Sequence, residues 1–211
     1  MRQIPRFSRI IGLDVHQSRF GFAVLEVNQA LDLLDWGVSS ARSDPKDTNY
    51  ILSAKRLRRL IKFWQPSFIV ILREEESTRF RRTRRLLQAM KREARDSRVR
   101  FCTVDRESVL RALGSRGNIT KHKRASIIAG LFPFLRWKLP PPRRPGWNED
   151  YRLSLFDAAA IALAYVAKRK GVNIIPGLEY LNSGAERNAD SGLTAIHEDD
   201  MLRGTARESL Q

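Results

Sequence analysis

Three acidic positions stand where an ordinary solvated surface residue would not. Asp14 ends the apolar climb Ile10-Ile11-Gly12-Leu13. Glu74-Glu75-Glu76 lies just beyond the continuous apolar run Phe68-Ile69-Val70-Ile71-Leu72. Asp157 sits inside the apolar stretch Leu155–Tyr165, and Asp150 and Ser154 precede it at spacings that place all three on one helical stripe. A carboxylate beside a core is costly unless a cation meets it. Hard divalent ions prefer carboxylate oxygens. Two such ions can activate water and stabilise a leaving oxygen in phosphodiester cleavage. Each residue also has a plainer reading: Asp14 as a turn cap, Asp157 as an ion-pair partner, the glutamates as a helix start favoured by the dipole. The joint placement on a basic chain favours the metal-binding reading.

The elements that must position these groups are legible from patterning. Residues 9–15, 20–27 and 33–39 read as three consecutive strands, hence an antiparallel meander. Tyr50, Ala54, Leu57, Ile61 and Trp64 mark one face of a helix that Pro66 ends. Phe68–Leu72 reads as a strand buried on both faces. A basic helix from about Thr78 follows, with a fifth strand near Val99–Val104. Helices are expected around Asp105–Leu113 and Lys121–Phe132. Five prolines in 133–149 predict an extended loop without helix. A last helix is expected from about Asp150 to Lys170, stopped by Gly171. The fold class is therefore α/β: a mixed five-stranded sheet, meander first and parallel strands after, flanked by helices. Residues 1–182 form one domain in this reading, and 183–211 a flexible acidic tail.

Charge narrows the partner. The 211 residues carry a net charge of +16 with 42% hydrophobic content. From Ser183 onward six acidic residues face three basic ones, which leaves +19 on the rest. A field of this sign and size favours a polyanion, most often nucleic acid. Arg81 and Arg85 on the basic helix, Arg116 in the glycine-flanked segment, and Lys121, Lys123 and Arg124 at a helix start are the candidate phosphate contacts. Trp137 and Trp147 could stack on exposed bases or anchor the proline-rich loop to the core. No apolar run approaches the roughly 20 residues that span a bilayer, and Asp14 interrupts any signal-peptide core. The single cysteine, Cys102, gives no disulfide and no metal-ligand spacing. The chain is read as cytoplasmic.

The same residues carry a family resemblance. Ile10–Glu26, Leu34–Gly37, Gln65–Val70, Asp105–Gly114 with Lys121, Lys138–Pro140 and Phe156–Tyr165 resemble, in order and spacing, segments of RuvC-type Holliday-junction resolvases of the RNase H-like nuclease superfamily. The likeness covers about residues 9–170. It implies a Mg²⁺- or Mn²⁺-dependent endonuclease for branched DNA, acting in recombination and repair as a homodimer. By the same resemblance Asp14, Glu74 and Asp157 hold metal and Asp150 assists. There are departures. Leu72 occupies the position of the family's glutamate, with Glu74 two residues on at the same strand parity, and Ser154 stands where the family has an earlier aspartate. Transposases with the same nuclease domain share an opening like Gly12–His16, but their closing aspartates would fall on His122-Lys123-Arg124-Ala125.

Two other readings remain. Leu72 and Ser154 motivate a non-catalytic DNA- or RNA-binding protein on a degenerate nuclease fold. An actin-type ATPase would also open with an aspartate-bearing hairpin, but it needs phosphate-binding glycines that are missing here.

Overall fold

The computed structural model describes residues 8–16, 19–28, 30–40, 49–73, 81–115 and 117–171. Glu74, Glu75, Glu76, Arg116 and the acidic C-terminal segment lie outside the described residues.

Strands β1 (Ser8–Val15), β2 (Arg19–Val27) and β3 (Leu31–Ser40) form the antiparallel meander. Helix α1 (Asn49–Trp64) leads to β4 (Phe68–Leu72), and α2 (Arg81–Asp96) to β5 (Arg100–Val104). The sheet order is β3-β2-β1-β4-β5, with β4 parallel to β1 and β5 parallel to β4. Helices α3 (Arg106–Ala112), α4 (Lys121–Leu131) and α5 (Leu153–Lys170) complete the fold. The mixed five-stranded sheet flanked by helices is the architecture expected from the patterning. Among the described residues, no helix is long and apolar enough to cross a membrane.

Strand alternation sorts the core into two layers. Ile11, Leu13, Val24, Ile69 and Ile71 pack with Leu57 and Ile61 of α1 and Leu86 and Met90 of α2. Ile10, Ala23, Leu25, Phe68 and Val70 point the other way, into a core shared with α3, α4 and α5. Asp14 has the parity of Ile10 and Gly12, so its side chain emerges on the α5 side of the sheet.

Two expectations need correction. The last helix begins at Leu153, not near Asp150. Asp150 lies in the preceding turn, where its carboxylate accepts from the Arg152 backbone N–H at 2.8 Å and pairs with the Arg152 guanidinium at 2.7 Å. The proposed stripe of 150, 154 and 157 therefore loses its first member. The proline-rich segment is also not wholly extended. Pro133–Lys138 form a 3-10 helix with Pro133 at its start, where a missing N–H costs nothing.

Helix α5 is buried on all sides from Leu153 to Val166, rather than along one stripe. Its alanine-rich run suits a helix enclosed by the sheet and its neighbouring helices. Two glycines set how closely it approaches. A methyl group built at Gly12 would collide with the Ala158 carbonyl oxygen and come within 2.9 Å of Ala162 Cβ. One built at Gly21 would strike the Ser154 carbonyl. The nearest obstacles, the Ala158 and Ser154 carbonyl groups, are backbone, so the helix would have to retreat. Gly12→Ala is expected to destabilise the protein by about 1–3 kcal/mol or more through overpacking. Chemical denaturation checks this; an unchanged midpoint would contradict the close-packing account.

Candidate active site

The β1–α5 contact assembles the site. Asp14, near the end of β1, accepts a hydrogen bond from the Ser154 hydroxyl at 2.7 Å through Oδ2. His16 Nε2 lies 2.8 Å from the same oxygen. One helical turn past Ser154, Asp157 points into the same cavity, of about 380 Å³, together with Asp14. Lys121 and Arg124 join the lining from the first turn of α4. Thr120 caps that helix by accepting the Lys123 backbone N–H at 3.1 Å, a common N-terminal arrangement. Arg124 reaches Asp157 Oδ1 at 3.0 Å, and Lys121 Nζ stands 3.8 Å from Oδ2. Lys121 also pairs with Glu149 at 2.7 Å, which ties the end of the proline-rich loop to the cavity.

The two aspartates titrate in opposite directions. Burial works against the Asp14 charge, but the hydrogen bond and charge of His16, the Ser154 hydroxyl and the charge of Lys121 outweigh it and hold its pKa below the ordinary value. Asp157 is pushed up to about 6, first by burial and then by the negative charge of Asp14, even though Arg124 and Lys121 pull the other way. The repulsion of the pair thus falls on Asp157. Burial and this repulsion together outweigh the pull of Arg124 and Lys121 on Asp157. Two carboxylates facing one cavity supply hard oxygen donors of the kind that suit a divalent cation. Asp14 and Asp157 are the residues that would hold it. Among the described residues, no group of three or more His, Cys, Asp or Glu side chains gathers as a ready metal cage.

The other sequence candidates are placed differently. Asp150 does not line the cavity and is engaged by Arg152. Glu74 and Arg116 lie outside the described residues. Lys123 is exposed at the start of α4, and Arg81 and Arg85 are exposed on α2. None of these three lines the cavity. Leu72 does line it, at the end of β4. Patterning did not single out Arg106, which enters the cavity from the start of α3. Asp105 caps that helix by accepting the Ser108 N–H at 2.7 Å. Nor did it single out Glu149, whose pairing with Lys121 joins residues 28 positions apart and leaves no local signal.

Comparison with solved structures follows the same geometry. Thermus thermophilus RuvC superposes with a TM-score of 0.59 at 20% identity, covering 77% of this chain and 96% of that one. The T. thermophilus RuvC in complex with a Holliday junction substrate gives the same score and identity over 78% and 96%. The yeast mitochondrial Holliday junction resolvase Ydc2 gives 0.58 at 13% identity over 89% and 86%. The chain has a RuvC-like, RNase H-like fold. No protein-family model matches the sequence, and no curated protein matches it significantly. The RuvC-like assignment thus rests on shape: the meander, the two parallel strands and the closing helix across β1.

The raised pKa of Asp157 has a consequence for stability. Its folded value of about 6 lies above the ordinary aspartate value of 3.8, so the folded state holds the proton more tightly. That contribution is fully present below about pH 4 and is lost as pH rises through 6. Asp157→Asn mimics the protonated form. Without divalent ions it is expected to be more stable than wild type at pH 7 by up to about 3 kcal/mol. The gap should close toward pH 4. Denaturation at the two pH values checks this; a variant less stable at pH 7 would show that the Arg124 pair outweighs burial.

Proposed function

We propose that this chain is a metal-dependent endonuclease acting on branched or otherwise structured DNA. The observation that carries the reading is the meeting of Asp14 and Asp157 in one cavity beside Lys121 and Arg124, on a chain of net charge +16. The RuvC-like fold supports it, since one matching RuvC structure holds a Holliday junction substrate.

Each residue has a part in this account. Asp14 stays ionised because His16 and Ser154 bind its Oδ2. Asp157 faces it from α5. A Mg²⁺ or Mn²⁺ ion, when bound, supplies Lewis acidity and lowers the pKa of its water. Lys121 and Arg124 then meet the non-bridging oxygens of the phosphodiester, and the exposed N-terminus of α4 favours the same anion. Entry of a phosphate would also draw Arg124 away from Asp157 and so free that carboxylate. Glu74 supplies a third carboxylate in this proposal, and Asp150, paired with Arg152 and outside the cavity lining, has no part in holding the ion. Cutting both strands of a symmetric junction needs two such sites, hence a homodimer.

A four-way junction incubated with Mg²⁺ or Mn²⁺ tests this. The wild type is expected to cleave. Asp14→Asn and Asp157→Asn should each lose at least roughly a hundredfold in rate, beyond the usual effect of a residue that merely supports a metal ligand, while still binding DNA. Activity surviving both substitutions would remove the assignment. Arg124→Gln should weaken binding across all DNA sequences and lower the salt slope by about 1.

Leu72 and Ser154 favour a second reading, a binding protein on a nuclease fold that has lost its chemistry. Leu72 places an apolar side chain in the cavity, and the Ser154 hydroxyl donates to Asp14. Tight, salt-dependent binding without cleavage in either metal would select it.

A further inference from the structure

The proline-rich segment that follows α4 exposes aromatic rings that the proposed chemistry does not use. Trp137 is 70% exposed and Trp147 is 63% exposed. Rings of this size are normally drawn into the core or an interface. Neither indole anchors the segment, because other contacts do. Phe134 packs on Trp36 of β3 with centroids 5.0 Å apart. His122 Nε2 sits 3.0 Å from the Pro140 carbonyl oxygen. Arg143 Nε donates to the Trp147 carbonyl at 2.6 Å. The segment is thus held by its backbone and by Phe134, with both indoles turned to solvent.

Each indole also has a cation at its face. Lys138 Nζ lies 3.9 Å from the Trp137 ring centroid, and the Arg144 guanidinium carbon 5.4 Å from that of Trp147. Aromatic rings interleaved with cations match a strand that alternates flat bases with phosphates. A duplex offers only the phosphates, because its bases are stacked on each other. The location fits too. Two residues after Trp147, Glu149 pairs with Lys121 at the cavity that holds Asp14 and Asp157.

We propose that Trp137 and Trp147 form a stacking platform for unpaired bases of a nucleic-acid strand, so that the protein prefers DNA with unstacked or single-stranded bases over plain duplex. The inference deepens the nuclease reading and rests on its nucleic-acid part. Lys138 and Arg144 contact the flanking phosphates while the rings accept bases without regard to sequence. Proline at 140, 141, 142 and 145 limits backbone freedom, so the rings are presented with little ordering cost.

The test uses the full chain in EDTA, so that cleavage plays no part. Fluorescence anisotropy compares a blunt duplex, a single strand of the same sequence and a four-way junction with unpaired central bases. The double variant Trp137→Ala with Trp147→Ala is expected to lose about tenfold or more in affinity for the single strand and the junction. Duplex affinity should stay within about twofold, because the phosphate contacts are intact. The double variant Trp137→Phe with Trp147→Phe keeps a ring at each place and should retain most of the preference, which separates stacking from a folding defect. Equal losses on all three probes, or no loss on any, would overturn the platform, the second result pointing to a protein partner for the two rings. A parallel digestion in Mg²⁺ separates the two proposals. A wild type that discriminates among strands but cuts none keeps the platform and sinks the nuclease. One that cuts junctions while the alanine variant binds them unchanged keeps the nuclease and sinks the platform.

Discussion

The close seat of α5 on the first hairpin is the constraint from which the rest of the molecule follows. Gly12 and Gly21 let helix backbone reach sheet backbone. With any side chain at either place, Ser154 and Asp157 would be carried away from Asp14. At the observed distance the Ser154 hydroxyl meets Asp14 directly, and Asp157 is near enough to feel its charge. The site is thus a product of packing between a strand and a helix separated by about 140 residues, rather than of any local motif.

The electrostatics of that corner are unbalanced in an informative way. A protein selected only for stability would replace Asp157 by an apolar residue, since a buried charge pair often does no better than well-packed hydrophobic groups. Here a buried carboxylate is retained although burial and its neighbour both oppose its charge. Arg124, only 11% exposed in its side chain, is held against it. Such a corner has two uses for an arriving ligand: a cation relieves the repulsion of the carboxylates, and an anion takes the released arginine. A metal ion and a phosphodiester together satisfy both.

The strands and the buried faces of α1 and α2 were readable from periodicity, and Asp14 and Asp157 stood out as acidic residues inside apolar runs, but their convergence was expected only from their joint placement on a basic chain and from the family resemblance. Less was readable where the outcome depends on a turn or on distant pairing. Asp150 sits at helical spacing from Ser154, yet its carboxylate engages Arg152 and the helix starts three residues later. Pro133 reads as a breaker but begins a 3-10 turn, because proline suits a first helical position. Gly12 reads as an unremarkable strand residue until α5 is placed against it. Exposure of Trp137 and Trp147 could not be read at all, since the same rings could equally have anchored the loop.

A crystal soaked in Mn²⁺, with data collected for anomalous scattering, tests the central claim most directly. The account predicts a peak in the cavity within ligand distance of both the Asp14 and Asp157 carboxylates, with Arg124 shifted away from Asp157. Manganese found only elsewhere, or the two carboxylates seen on separate surfaces, would contradict it.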